Sequence, residues 1–209
     1  MPQPVQIVSP WGSKEDRARE RNDKRDAVIT AAVRLFNLNG FHATSLDDVA
    51  KVLRVTKPTI YHYYSSKDEI LFECVRRGLN GIRDAAAEAA THGGVGLERL
   101  QILIHAYALI KTRDFGICVG RTSDDQLRPE SRAKFRAMKR EINDILQGVV
   151  SEGMADGSIA KGDARLYAFT IAGSLNWITR WYDPSGSMTP EDIADGMMAM
   201  LTDGLVPRE

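Results

Sequence analysis

Residues 44–67 decide the fold, and their sequence is TSLDDVAKVLRVTKPTIYHYYSSK. Ser45 precedes an apolar-periodic segment that has two aspartates in its first turn. Serine is a preferred N-cap and carboxylates favour the positive end of a helix, so a short helix is predicted over 46–53. A tight turn and then Pro58, placed where a missing N–H is tolerated, predict a second short helix over 57–64. This arrangement is typical of a helix-turn-helix.

The second helix of such a motif enters the DNA major groove with its N-terminal residues towards the base edges. Thr56 is the expected N-cap here, and Lys57 is suited to donate to guanine acceptors. Ile60 and Tyr64, four residues apart, are expected to turn inward and hold the helix on its domain. The pattern predicts double-stranded DNA as a partner, with base contacts from Lys57, Pro58 and Thr59 and phosphate contacts from Tyr61, His62 and Tyr63.

Lys67 stands in the first turn of the next predicted helix, over 67–91, which Ser66 can cap. A cation there opposes the helix dipole by roughly 0.3–1 kcal/mol, a cost that an anion bound at the helix N-terminus offsets. One interpretation of Lys67 is therefore a phosphate contact. The other is an exposed lysine paired with Asp68 or Glu69. Beside a helix-turn-helix, the phosphate contact is favoured.

Helical periodicity continues on both sides of this motif. Apolar residues recur at helical spacing from Val28 to Phe36, and Gly40 is the expected stop. Residues 1–13 contain three prolines without periodicity and predict a disordered arm, and the charged residues after them either extend the helix or fray. No strand-type alternation or internal repeat occurs, so the predicted fold class is all-α. The expected later helices are 67–91, 97–112, 131–155, 163–182 and 190–204.

Charge is unevenly distributed although the formal net charge is zero. Residues 14–67 hold 11 Lys or Arg against 7 Asp or Glu, whereas residues 68–209 hold 17 against 21. A basic N-terminal end on an acidic body suits a partner whose phosphates bind at that end only. The charge distribution by itself also fits a basic surface that contacts only solvent. The two cysteines, Cys74 and Cys118, have no CxxC spacing and predict no disulfide framework, which fits a reducing cytoplasm.

Catalytic and metal-binding motifs are absent from the sequence. The four histidines form no HExxH or other ligand spacing, and no GxSxG or phosphate-cradling loop occurs. No run of apolar residues is long enough to span a membrane, and no signal-peptide pattern is present. We therefore expect a binding protein that is not an enzyme and has no cofactor or metal.

The run from Ala31 to Leu71, AAVRLFNLNGFHATSLDDVAKVLRVTKPTIYHYYSSKDEIL, resembles the DNA-binding domain of the TetR family of bacterial repressors. The resemblance implies a repressor of operator DNA. It also implies base contacts from Lys57 and Pro58, phosphate contacts from Thr59, Tyr61, Tyr63 and Lys67, and a backbone contact from Thr44. The full set of expected DNA-binding residues is Thr44, Arg54, Thr56, Lys57, Pro58, Thr59, Tyr61, His62, Tyr63 and Lys67.

Arg54 departs from the family pattern, which usually has glycine at this point of the turn. A positive φ there costs a residue other than glycine roughly 1 kcal/mol, which a folded domain tolerates. The arginine also adds a cation near the DNA. The resemblance divides the chain into a disordered or frayed arm over 1–22, the DNA-binding domain over 23–66, and a helical ligand-binding and dimerisation domain over 67–209.

The C-terminal segment over 157–204 resembles the last two helices of one TetR branch. Its signature is Asn176-Trp177, then Arg180-Trp181-Tyr182, a Pro-Gly loop and Thr-Pro-Glu. That branch regulates fatty-acid, steroid and aromatic-acid breakdown, so the resemblance implies an acyl-CoA or related apolar acid as effector. A multidrug efflux regulator that senses cationic apolar compounds is the alternative, and it predicts acidic residues inside the pocket. A DNA-packaging protein would need no pocket.

The helices over 163–182 and 190–204 carry apolar side chains on more than one face. They suit a four-helix homodimer interface, whereas the core of a monomer is the other interpretation. For Arg180 the alternatives are an anionic ligand group and an acidic neighbour. The aromatic and thioether side chains of the middle helices either line an apolar pocket or form plain core. The expected ligand-binding residues are Tyr107, Phe115, Met138, Asn176, Trp177, Arg180 and Trp181.

Overall fold

The computed structural model describes residues 13–205. In that range the chain consists of helices and connecting loops without a β-strand, which confirms the all-α prediction. Most of the predicted arm, residues 1–12, lies outside the described residues. The elements are α1 (Lys14–Asn39), α2 (Leu46–Leu53), α3 (Lys57–Tyr63), α4 (Lys67–Thr91), α5 (Gly96–Lys111), α6 (Asp114–Arg121), a 3-10 turn (Asp124–Gln126), α7 (Pro129–Asp156), α8 (Ala164–Trp181) and α9 (Pro190–Asp203).

Helix α1 begins at Lys14, so residues 14–22 are helical and do not form a frayed arm. The reason is a capping box at its start. The Ser13 hydroxyl accepts from the Asp16 N–H at 3.0 Å, and the Asp16 carboxylate accepts from the Ser13 N–H at 2.9 Å. One turn later, Glu20 and Lys24 form an ion pair at 2.6 Å that supports the same helix.

Helix α4 belongs to both halves of the molecule. The N-terminal half is a small three-helix core that includes Ile29 of α1, Val49 of α2 and Ile60 of α3. Helix α4 contacts α1 of this half and then runs into the body, where it contacts α5, α6 and α7. In the body, α5 contacts α4, α6, α7, α8 and α9, which makes it the central helix. No helix in residues 13–205 has the length and apolar character needed to cross a membrane.

Helix α6 was not predicted from the sequence. Its two glycines, Gly116 and Gly120, lower the intrinsic helix propensity of this short segment. Their places are fixed by packing, because a Cβ on Gly116 would overlap the carbonyl of Ile110 and a Cβ on Gly120 would overlap the side chain of Thr179. The absence of side chains therefore lets α6 lie directly against the end of α5 and against α8.

Candidate DNA interface and effector cavity

The turn between α2 and α3 has the left-handed backbone that usually favours glycine, although the residue at this position is Arg54. Ser45 caps α2, since its hydroxyl accepts from the Asp48 N–H at 3.2 Å and the Asp48 carboxylate accepts back from the Ser45 N–H at 2.8 Å. At the other end of α2, Arg54 has φ 55° and ψ 40°, in the left-handed region. Arg54 therefore carries a backbone cost of roughly 1 kcal/mol that glycine would avoid.

Helix α3 presents one face to its own domain and the other to solvent. Ile60 and Tyr64 are 0% and 2% exposed, as predicted for the inward face. Pro58, Thr59, Tyr61 and His62 are exposed, while Lys57 and Tyr63 are half-buried. We call the outward set of side chains the recognition face, and it comprises Arg54, Lys57, Pro58, Thr59, Tyr61, His62 and Tyr63.

Lys57 is held by an acidic neighbour in this structure. Its ammonium donates to the Asp47 carboxylate of α2 at 2.7 Å, and this hydrogen bond raises the pKa of Lys57. The ion pair joins the first turn of α2 to the first turn of α3. A guanine acceptor in the major groove would have to compete with Asp47 for this ammonium.

Lys67 contacts backbone carbonyls instead of carboxylates. Its ammonium donates to the carbonyl of Thr44 at 2.6 Å and to that of His42 at 3.4 Å, and it lies 4.3 Å from the centre of the Phe41 ring. Partial burial lowers the pKa of Lys67. The lysine thus fastens the loop before α2 to the start of α4.

The alternative interpretation of Lys67, a pairing with Asp68 or Glu69, is wrong, because the ammonium contacts neither carboxylate and both carboxylates have other donors. Asp68 accepts from the N–H of Arg128 and from the hydroxyl of Ser131, each at 2.7 Å. Glu69 accepts from the N–H and the hydroxyl of Ser65, each at 2.7 Å. Asp68 therefore joins the start of α4 to the start of α7.

The three threonines of the predicted DNA-binding set all have hydroxyls that hydrogen-bond to other groups of the protein. Thr44 is buried, and its hydroxyl is placed to donate to the carbonyls of Gly40 at 2.9 Å and Leu35 at 3.2 Å. A side-chain contact from Thr44 to DNA is therefore excluded in this conformation. Thr56 does not cap α3 with its side chain, since its hydroxyl pairs with the Thr59 hydroxyl at 2.9 Å.

A cavity of about 430 Å³ lies within the C-terminal body, between α4, α5, α6, α7 and α8. The Tyr107 hydroxyl donates to the Asn176 side-chain oxygen at 3.3 Å, and both residues line the cavity. Burial raises the pKa of Tyr107 far above its usual value, so the phenol stays neutral. Other lining residues are Leu79, Phe135, Lys139 and Ile142.

Of the predicted ligand-binding residues, Tyr107 and Asn176 are brought together at this cavity and five others are not. Phe115 lies beneath the Arg77 guanidinium at 5.7 Å, and Met138 packs half-buried against the core. Neither one lines the cavity. The prediction failed for them because aromatic and thioether content does not reveal which side of a helix faces a cavity.

Trp177 and Trp181 lie on the outer face of α8, with 64% and 44% of their surfaces exposed. The inner face of the same helix is formed by Leu175, Ile178 and Thr179, all buried. Because the two tryptophans are four residues apart, about one helical turn, their side chains project from the same face of the helix. Their predicted pocket role is therefore corrected to an exposed apolar surface.

Arg180 lies at the junction between the two halves of the molecule. It lines a second cavity of about 320 Å³, together with Asn37 at the end of α1 and Arg121 at the end of α6. Arg121 links three helices there, since it donates to the carbonyl of Asn37 at 2.7 Å and to that of Thr179 at 3.2 Å. Arg180 therefore lies at this junction and not at the first cavity, where its predicted contact with an anionic ligand group would be made.

Sequence reasoning missed Lys111, at the end of α5. Its side chain is 0% exposed, and its ammonium has no hydrogen-bond partner among the described residues. Burial lowers the pKa of Lys111 to about 7. A lysine in the last turn of a helix is common because it complements the helix dipole, so the sequence carried no signal of burial.

Family models match both halves of the chain. A model described as bacterial regulatory proteins, tetR family, matches residues 28–74. A second, described as the C-terminal domain of tetracyclin repressor-like proteins, matches residues 93–205. The first match contains the helix-turn-helix, and the second contains most of the helices around the larger cavity.

Similar proteins include two whose names state a regulatory role. The chain is 24% identical over 193 residues to the HTH-type transcriptional repressor KstR2 of Rhodococcus jostii, covering 91% of this chain and 95% of that protein. It is 23% identical over 192 residues to the fatty acid metabolism regulator protein of Bacillus subtilis, covering 90% of this chain and 98% of that protein.

Solved structures with the same fold include AibR in complex with isovaleryl coenzyme A and operator DNA, with a TM-score of 0.76, 29% identity, and coverage of 85% of this chain and 97% of that one. PfmR, a TetR family transcriptional regulator from Thermus thermophilus, has a TM-score of 0.79, 28% identity, and coverage of 86% and 99%. With the helix-turn-helix and the helical body that follows it, these matches show that the chain belongs to the TetR family of bacterial transcriptional regulators.

Proposed function

We propose that this chain is a ligand-responsive repressor that acts in the cytoplasm as a homodimer, and that an acyl-CoA or a related apolar acid lowers its affinity for operator DNA. The observation that carries this proposal is the double role of α4. The helix holds Lys67 against the loop before α2, in the DNA-binding half, and contributes Leu79 to the larger cavity. A ligand that displaces α4 therefore moves the DNA-binding half.

A second connection supports the same coupling. The Asp68 carboxylate joins the start of α4 to the N–H of Arg128 and the hydroxyl of Ser131 at the start of α7. Helix α7 contributes Phe135 and Ile142 to the cavity wall. Two helices that enclose the cavity are thus tied together beside Lys67, where a small shift changes the position of the helix-turn-helix.

The proposed homodimer uses α8 and α9, within the predicted segments 163–182 and 190–204. The outer face of α8 exposes 61% of Leu166, 64% of Trp177 and 44% of Trp181, and α9 exposes 78% of Met200. Apolar surface of this extent on two consecutive helices is typical of an interface between subunits. Two copies would place two recognition faces on successive turns of a pseudo-palindromic operator.

The proposed effector class rests on the composition of the cavity and on the similar proteins. Among the described residues that line the cavity there is no Asp or Glu, and the ammonium of the lining residue Lys139 donates to Asp124, outside this lining, at 2.8 Å. A cationic drug would need acidic residues there, so the efflux alternative lacks its predicted feature. The names of similar proteins refer to fatty acid metabolism and to isovaleryl coenzyme A. A cavity of this size also argues against a DNA-packaging protein.

The test is a fluorescence-anisotropy titration on a labelled duplex that the protein itself selects from a random pool. We expect a chain-length series of acyl-CoAs to weaken binding about 5- to 150-fold, which corresponds to a coupling of about 1–3 kcal/mol. Cationic dyes serve as the comparison. Release by the dyes alone, with no effect of any acyl-CoA or apolar acid, would contradict the proposal and favour an efflux regulator.

A further inference from the structure

Lys111 is the one side chain among the described residues whose cationic end is both fully buried and without a hydrogen-bond partner. The residue is 0% exposed, and no oxygen accepts from its ammonium. No carboxylate lies within ion-pair distance of it in the described part of the chain. Buried cations in proteins are ordinarily paired, because an isolated charge loses its hydration without compensation.

A role in stability alone does not account for this lysine. Lysines near a helix C-terminus usually extend into water and complement the dipole from there. Lys111 instead turns inward, where a methionine of similar volume would fill the space at no electrostatic cost. Burial lowers its pKa to about 7, which is the expected response of an amine that lacks a partner.

One residue, Tyr107, lies close to the Lys111 amine and also lines the larger cavity. The Lys111 nitrogen lies 5.3 Å from the centre of the Tyr107 ring. The Tyr107 hydroxyl is held by Asn176 at 3.3 Å, a long hydrogen bond for a hydroxyl donor. Lys111 itself does not line the cavity, so a ligand there would reach the amine only if the Tyr107 ring moved, which a ligand that replaces Tyr107 as the partner of Asn176 would permit.

We propose that Lys111 is the anion-binding group of the effector cavity and that it pairs with a carboxylate at the end of an apolar chain of the ligand. This inference rests on the proposed effector role of the cavity. The cavity measures about 430 Å³ and its wall is largely apolar, with Leu79, Phe135 and Ile142 among its residues. Within the described part of the chain, the Lys111 ammonium has three free N–H donors and a positive charge. A carboxylate, with two acceptor oxygens and a full negative charge, is a better partner for it than a single carbonyl group.

The carboxylate has two possible sources, a free apolar acid and the far end of a dicarboxylic acyl-CoA. The probes are therefore octanoate, suberyl-CoA, octanamide and octanoyl-CoA, measured by isothermal titration calorimetry on the full chain. We expect octanoate or suberyl-CoA to bind, and octanamide to bind at least about tenfold more weakly than octanoate. Binding of octanoate identifies the free acid, and binding of suberyl-CoA alone identifies the thioester.

Lys111→Met is the decisive variant, and Lys161→Met, at an exposed loop position, is its control. We expect Lys111→Met to lose at least about tenfold in affinity for the carboxylate probe. Without ligand we expect its Tm to rise by about 2–4 °C, because an unpaired buried amine is removed. The control should leave both quantities unchanged.

Three outcomes would overturn the inference. Equal binding of octanoyl-CoA to the wild type and to Lys111→Met, without binding of octanoate or suberyl-CoA, would remove Lys111 from the site while leaving the proposed acyl-CoA effector intact. A fall in Tm for Lys111→Met would show that the amine has a structural partner. Failure of all four probes to bind the wild type would contradict both this inference and the proposed effector class.

Discussion

The Lys67 ammonium lies 2.6 Å from the carbonyl oxygen of Thr44 and so fastens the first turn of α4 to the loop before α2. An ammonium has three donors, and only one of them makes this short bond. The same group is therefore able to hold the loop and to receive a phosphate. Because Lys67 sits at a helix N-terminus, the backbone dipole would add to the attraction for that phosphate.

Lys67→Met is predicted to weaken binding to every DNA sequence alike. Removal of one phosphate-binding cation from each subunit should reduce the slope of log K against log salt by about one unit per subunit. The measurement is an anisotropy titration at several salt concentrations, with Lys161→Met as a control of equal charge change. A lower affinity with an unchanged salt slope would show that Lys67 acts only on the loop.

Lys57→Ala is predicted to cost about 1–3 kcal/mol of binding to the preferred operator and to relax the preference at one base pair of each half-site. The structure adds a matched variant. Asp47→Asn removes the carboxylate that holds the Lys57 ammonium at 2.7 Å, so it should strengthen DNA binding. The double variant should bind like Lys57→Ala alone, and additive effects in this cycle would contradict competition between Asp47 and the DNA.

Arg54→Gly is predicted to stabilise the domain. The left-handed backbone at φ 55° costs arginine roughly 1 kcal/mol more than glycine, and the larger unfolded-state entropy of glycine offsets at least half of this gain, leaving at most about 0.5 kcal/mol. Urea unfolding measures this difference. Arg54→Ala is the control, because it removes the charge and keeps the backbone cost. A weaker DNA affinity shared by both variants would assign a DNA contact to the arginine side chain.

Trp177→Glu is predicted to dissociate the homodimer. A carboxylate on the outer face of α8 would be buried without a partner in the interface, which is strongly unfavourable. Size-exclusion chromatography with light scattering should give the wild type a mass twice the chain mass of 23.2 kDa, and give the variant the mass of one chain. Leu38→Glu is the control, because Leu38 is 80% exposed on α1. A monomeric wild type at micromolar concentration would contradict the proposed assembly.

The DNA-binding half could be predicted in detail because its signals are local. A cap at Ser45, a turn residue at position 54 and the spacing of Ile60 and Tyr64 each depend on a few neighbouring residues, and the structure shows all of them as expected. The buried hydroxyl of Thr44 was not predictable, because its acceptors come from the fold around it, on Leu35 and Gly40.

The cavity was less predictable, since α8 is apolar on two faces and the sequence alone does not say which face turns inward. Tyr107 and Asn176 line the cavity, whereas Trp177 and Trp181 face outward. Helix α6 escaped prediction because packing, not propensity, forms a helix around Gly116 and Gly120. Because α6 was not predicted, the junction to which it contributes Arg121 was not predicted either, and neither was the position of Arg180 there.

The reciprocal effect of operator and effector tests the proposed coupling most directly. The measurement is the Kd of the effector identified by the acyl-CoA series, determined by calorimetry with and without saturating operator duplex. We predict that the operator weakens effector binding by the same factor, about 5- to 150-fold, by which the effector weakens operator binding. An effector Kd that is unchanged by the operator would contradict a ligand-responsive repressor.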